Sequence, residues 1–244
     1  MTSALNSADW LDALDRSRAM PAALRGCALL DEVLGASHSA ARFMPLGRRD
    51  AQLLELQRAL FGPQLDAVAQ CPHCSERLEL NLRVDDLRVP EAALPEAAVT
   101  LDCDGFHLCS RLPASIDLAA AAQAGDLDEA RALLVQRCLL EATHSGLAVT
   151  APELPDVVVA QLGQALREAD PQADTELALQ CPSCAHAWTE GFDIASYLFD
   201  SLAHWAERCL DEVHVLAQAY GWSEAQILAL SPARRARYIE RVVS

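Results

Sequence analysis

The chain has 244 residues, with 35 acidic against 19 basic side chains and a formal net charge of −16. All the basic side chains are arginines, and the acidic balance weighs against a nucleic-acid binder or an anionic-membrane attachment, since both need clustered cations. Hydrophobic residues make up 52%, enough for a folded core, yet no uncharged stretch approaches the roughly 20 apolar residues of a spanning helix.

Met1 to Asp15 carries Asp9, Asp12 and Asp15 and no basic segment, so no secretion signal is expected and the expected location is the cytoplasm. Residues 1–70 read as helical. Ser7 is placed to cap a helix bearing Trp10, Leu11 and Leu14. Pro21 opens a second helix, which Gly35 can end. Pro45-Leu46-Gly47 reads as a break, and Asp50 as the start of a third helix with Leu53, Leu56 and Leu60 on one face. Arg48, Arg49 and Arg58 read as a solvated rim.

From Cys71 the period changes. Arg77 to Val84 alternates strictly, which marks a half-buried strand ended by Asp85 and Asp86. Pro90 to Pro95 reads as a loop. Val99–Cys103, Asp104-Gly105 and Phe106–Ser110 read as a hairpin, because Asp-Gly tolerates the positive φ of a tight turn. Helices are expected again after Pro113, one with Leu127, Ala130, Leu134 and Cys138 on a face, the next from Pro155 with Val158 and Leu162 aligned. From Ile194 to Tyr220 apolar residues recur at three- or four-residue steps, describing one amphipathic helix of about seven turns. Gly221 stops it, Ser223 caps a short helix, and Ser231-Pro232 begins the last one. The expected class is α+β, mainly α-helical, with a small split zinc-ribbon-like antiparallel β element. Its expected parts are 1–70 helical, 71–112 a first knuckle with hairpins, 113–170 a helical insertion, 171–193 a second knuckle, and 194–244 a long helix with a terminal helical hairpin, together forming one composite domain.

The sharpest chemical signal is Cys71-Pro72-His73-Cys74 with Cys181-Pro182-Ser183-Cys184. Two residues between cysteines let both sulfurs point inward from one tight turn, and two such turns facing each other offer four thiolates at tetrahedral corners. Soft thiolates select zinc, with iron second. An odd count of nine cysteines without a secretion signal does not read as a disulfide framework. One structural zinc on Cys71, Cys74, Cys181 and Cys184 is therefore expected, in a ribbon split by residues 75–180. Four ligands leave no open position for substrate. Cys27, Cys138 and Cys209 read as core, and a second metal site at Cys103 and Cys109 as the lesser alternative. No phosphate loop, nucleophile elbow or His-Glu-x-x-His occurs, and the histidines are scattered, so no catalytic residue and no small-molecule substrate are expected.

A wider pattern carries a resemblance. It comprises Pro45-Leu46-Gly47-Arg48-Arg49, Leu60-Phe61-Gly62-Pro63, Asp170-Pro171-Gln172-Ala173-Asp174, the run Leu177 to Cys184, Trp188 and Phe192-Asp193-Ile194. Further on come Glu212 to Ala217, Tyr220-Gly221-Trp222-Ser223-Glu224, and Ile227 to Pro232 followed by Arg234-Arg235 and Tyr238. Together these resemble the T-even-phage-type baseplate hub assembly chaperone family, with relatives in contractile phage tails and contractile injection systems. The resemblance spans most of the chain and is thinnest between about residues 85 and 165. It implies a non-catalytic assembly chaperone or structural component whose partners are baseplate hub or tail proteins. It also makes Trp222, Ile227, Leu228 and Tyr238 candidate partner contacts, the alternative being ordinary packing against the long helix. The zinc is read from cysteine spacing, not from the resemblance. The competing reading is a zinc-ribbon regulator binding nucleic acid or the transcription machinery.

Overall fold

A computed structural model describes residues 6–35, 40–90 and 98–243. The chain folds as two compact units: Met1–Ser39 with Ala195–Ser244, and Ala40–Ile194. The second is thus inserted into the first.

The terminal unit begins with α1 (Ser7–Arg18) and α2 (Ala22–Leu34). Asn6, one residue ahead of Ser7, is the cap of α1. Its Oδ1 accepts from the Ala8 and Asp9 amides at 2.8 and 3.1 Å, and Asp9 accepts from the Asn6 amide at 2.9 Å. That reciprocal arrangement satisfies otherwise orphaned amides. Gly35 closes α2 at φ 58°, a left-handed conformation that costs glycine least.

In the inserted unit α3 (Leu46–Phe61) starts where a break was expected. The cause is distant in sequence: the Asp170 carboxylate accepts from the Gly47 amide at 2.9 Å, placing negative charge at the positive end of the helix. A Cβ at Gly47 would lie 1.8 Å from Asp170 Oδ1, so only glycine admits that approach. Arg49 is not part of a solvated rim. It is buried and donates to Asp50 at 2.7 Å and to Ser115 Oγ at 2.8 Å. Arg58 instead pairs with Asp85.

Strands β1 (Gln64–Gln70) and β2 (Arg77–Arg83) form an antiparallel hairpin from Gln64↔Arg83 to Gln70↔Arg77. Asp85 and Asp86 lie in a one-turn helix, α4 (Val84–Leu87). The loop expected over 90–95 falls, after Pro90, outside the described residues. Next come β3 (Ala98–Cys103) and β4 (Phe106–Arg111), joined by Asp104 and Gly105 at φ 49° and 80°. Two successive positive φ values match the twist of a two-residue hairpin.

After α5 (Ser115–Ala121) and α6 (Leu127–Cys138), the segment expected to be helical contains two strands, β5 (Leu139–His144) and β6 (Leu147–Ala148). They complete a sheet of order β3-β4-β5-β6. The chain passes from helix to strand at Leu139 with φ −65° and ψ 121° and no glycine or proline, because pairing with β4 decides the matter. The apolar face expected on α6 is buried only at Cys138, and Leu127 is 87% exposed. α7 (Asp156–Ala169) covers the sheet, with Val158 and Leu162 packed on Leu108 and Ala142. Asp117 on α5 is fully buried and accepts from Arg111 at 2.6 and 2.8 Å, from Arg137 at 2.8 Å and from the Ala114 amide at 3.0 Å. Burial pushes its carboxyl up, but these donors outweigh it and hold the pKa at about 2.

The second hairpin, β7 (Glu176–Gln180) with β8 (Ala187–Gly191), pairs Glu176↔Gly191 through Gln180↔Ala187. Ahead of it, buried Gln172 bonds the Leu87 carbonyl, the Val89 amide and Thr175 Oγ1.

The terminal unit resumes in α8 (Ile194–Tyr220), α9 (Glu224–Leu228) and α10 (Pro232–Val243). Gly221 at φ 67° follows α8, and Ser223 caps α9. Arg235 is 2% exposed. It donates to Glu212 at 2.8 Å, to the Leu230 carbonyl at 3.1 Å and to Ser7 Oγ at 3.3 Å, tying four segments together. Among the described residues no helix is long and apolar enough to cross a membrane.

Candidate metal centre

Each cysteine pair sits in the turn of a two-stranded hairpin, and the two turns have the same construction. The Cys71 amide donates to the Glu76 carbonyl at 2.8 Å and the Ser75 amide to the Cys71 carbonyl at 2.9 Å. In the other turn Cys181 donates to His186 and Ala185 to Cys181, both at 2.9 Å. Ser75 and Ala185 are left-handed at φ 62° and 57°. Gln70 and Gln180, one residue ahead of each pair, reach the Ser75 and Ala185 carbonyls at 3.3 and 3.4 Å. These glutamine latches escaped the sequence reading, although a Gln-Cys-Pro-x-Cys repeat was there to be seen.

The turns meet. Cys71 Sγ lies 3.7 Å from Cys184 Sγ, Cys74 Sγ lies 3.5 Å from Cys181 Sγ, and all four sulfurs fall within 4.8 Å of one another. A tetrahedral ion with metal–sulfur bonds of about 2.3 Å sets its sulfurs about 3.8 Å apart. The cluster therefore has the size that one such ion requires and can bind a metal ion. All four are free thiols; Cys71 and Cys181 are 1% exposed, whereas Cys74 is exposed and Cys184 half-buried.

The electrostatics are those of crowded thiols. Burial raises the Cys71 thiol, but the Cys74 and His73 amides favour its thiolate and bring it to about 7. At Cys74 the Glu76 amide favours the thiolate, yet hydrogen bonds shared with Cys184 and Cys181, together with burial, push it up to about 12. Thiolates this close repel one another, and a cation among them removes that conflict. His73 and His186 stack beside the turns with centroids 5.6 Å apart, and Trp188 stacks on His186 at 6.2 Å.

The other candidates fall elsewhere. Cys103 stands opposite Phe106 and Cys109 opposite Thr100, so the hairpin keeps them apart. Among the described residues the only group of three or more potential metal ligands is the four cysteines. Cys27, Cys138 and Cys209 are buried. In the terminal unit Trp222 stacks on Tyr220 at 4.7 Å and meets Tyr238 edge-on at 5.0 Å. Trp222 and Tyr238 are half-buried, whereas Ile227 and Leu228 are 0% and 6% exposed.

No curated protein and no solved structure matches the chain. A family model described as T4 bacteriophage base plate protein matches residues 27–198, about 70% of the chain. The matched stretch contains both cysteine turns, the glycine under Asp170 and the whole inserted unit. The chain belongs to the T4 bacteriophage base plate protein family.

Proposed function

We propose that the protein is a non-catalytic assembly chaperone or structural component of the baseplate hub of a contractile phage tail or injection system, held in shape by one structural zinc on Cys71, Cys74, Cys181 and Cys184. Membership of a baseplate family supports the setting. The observation that carries the rest is the closure of four sulfurs from two remote turns within 4.8 Å. A shell completed by four protein ligands has no position left for water or substrate, so the ion would stabilise without reacting. The candidate partners are hub or tail proteins. Within the proposed contact set Trp222 and Tyr238 are half-buried and the more accessible, whereas Ile227 and Leu228 are buried.

Two measurements test this. Elemental analysis of purified protein should return about one zinc per chain, and loss of metal in Cys71→Ser or Cys181→Ser should lower the melting temperature. Pull-down against baseplate hub, tube and spike proteins of a contractile apparatus should recover a complex. Metal-free protein that melts with the cysteine variants would overturn the zinc, and the absence of any such complex would overturn the assembly role.

A further inference from the structure

The terminal unit exposes two rows of opposite charge that do not meet each other. Along α10, Arg234, Arg237 and Arg241 recur at steps of three and four residues and share one face. All three are exposed, and no carboxylate lies within ion-pair distance of any of them among the described residues. Arg241 donates only to the Arg237 carbonyl, at 2.8 Å. Arg235, the fourth arginine of the helix, is turned inward onto Glu212.

Along α8, Asp200, Glu207 and Asp211 form the opposite row, with His204 and His214 in the same stripe, and all five are exposed. At about 100° per residue the five fall within about 80° of the helix circumference. Glu207 alone has an ion-pair partner in this row, a loose contact to Arg18 at 3.6 Å. Exposed apolar side chains accompany each row, Leu210 at 43% on α8 and Val242 at 38% on α10.

We propose that these rows are the two halves of a self-association surface, the arginine row of one copy docking on the acidic row of a second copy. The acidic row is the longer of the two: Asp200 to Asp211 spans eleven residues, about 16 Å, against seven residues, about 10 Å, from Arg234 to Arg241, so it has room for all three arginines. A second copy supplies both complements at once, so each pairing is made twice in a two-fold dimer. A chain of net charge −16 repels its copies at long range. At physiological salt that repulsion is screened beyond about 8 Å, while contacts across the rows persist. Association should therefore peak at intermediate ionic strength.

The test is sedimentation equilibrium of the full chain at about 0.15 M salt. The parent should form a dimer. Both Arg234→Glu/Arg237→Glu/Arg241→Glu and Asp200→Arg/Glu207→Arg/Asp211→Arg should be monomeric, with helical circular dichroism like the parent's. Mixed in equal amounts, the two variants should recover a species of dimer mass, because each now carries the complement of the other. If either reversal fails to fold, the milder Arg234→Gln/Arg237→Gln variant should weaken dimerisation at least tenfold. A parent that stays monomeric at every concentration, or folded variants that remain monomeric when mixed, would overturn the proposal. So would a monomeric parent whose arginine row instead captures an acidic hub protein.

Discussion

The two cysteine hairpins share a turn but not an anchorage. The first arm, β1 with β2, inserts Leu65 and Ala69 into the interior, at 0% and 7% exposure, and continues into buried Val84. The second, β7 with β8, buries no residue along either strand; Leu177, Leu179 and Trp188 are only half-buried. A two-stranded hairpin without a packed face is marginal in water. The first arm is therefore held by apolar burial as well as by its cysteines, and the second chiefly by its cysteines and its ends. Identical local geometry does not mean identical dependence on the metal.

The largest effect should come from stripping the metal, or from Cys71→Ser or Cys181→Ser, since a four-thiolate zinc site contributes on the order of 10 kcal/mol of folding free energy in small peptides. Hydrogen exchange should show residues 176–191 losing protection first and most, with residues 64–83 retaining more. Equal loss in both arms would break the comparison. Leu65→Ala should cost about 2–5 kcal/mol in denaturant unfolding as a fully buried truncation, against under about 1 kcal/mol for half-buried Leu177→Ala. Similar costs would mean that the second arm is packed as firmly as the first.

A pH-dependent test comes next. Asp50 is raised to about 6, first by burial, against the pull of Arg49, with Asp193 and Asp170 adding repulsion. Asp170 and Asp193 flank the second arm in sequence. A carboxyl raised on folding binds more protons folded than unfolded, so its contribution to stability falls as pH rises from about 4 to about 6. Asp50→Asn should stabilise the protein by up to about 3 kcal/mol at pH 7 and make no difference below about pH 4. Thermal melts at matched metal content check this, and an unchanged difference across that window would refute it. The smallest effect is local. Ala185→Gly and Ser75→Gly each relieve a left-handed residue and should raise stability by about 0.5–1 kcal/mol. Of the two, the less anchored arm should gain more exchange protection.

The cysteine turns, the Asp104-Gly105 hairpin and the stop at Gly221 were legible because each is decided by neighbours within a few residues. The four-sulfur cluster followed from the same economy, as a lone pair of thiolates leaves a tetrahedral ion half-coordinated. Long-range decisions were hidden. α3 starts at Leu46 because Asp170, far along the chain, caps it. β5 begins at Leu139 because β4 lies alongside, with no punctuation in the sequence to say so. α6 looks amphipathic on paper, yet its apolar positions find little to pack against. The burial of Ile227 and Leu228, and the pairing of Arg235 with Glu212, likewise depend on which helices meet.

The sulfurs that pair across the centre come from cysteines 113 and 107 positions apart. At about 5–20 residues per second on the ribosome, the first turn emerges some five to twenty seconds before the second. During that interval it offers an incoming ion two ligands of four. With the proposed ion bound, the clasp would shut only after the inserted unit has been synthesised almost to its end, so the cysteines would act as a late checkpoint in biogenesis: a truncated chain would keep its first thiols without the second pair needed to complete the shell.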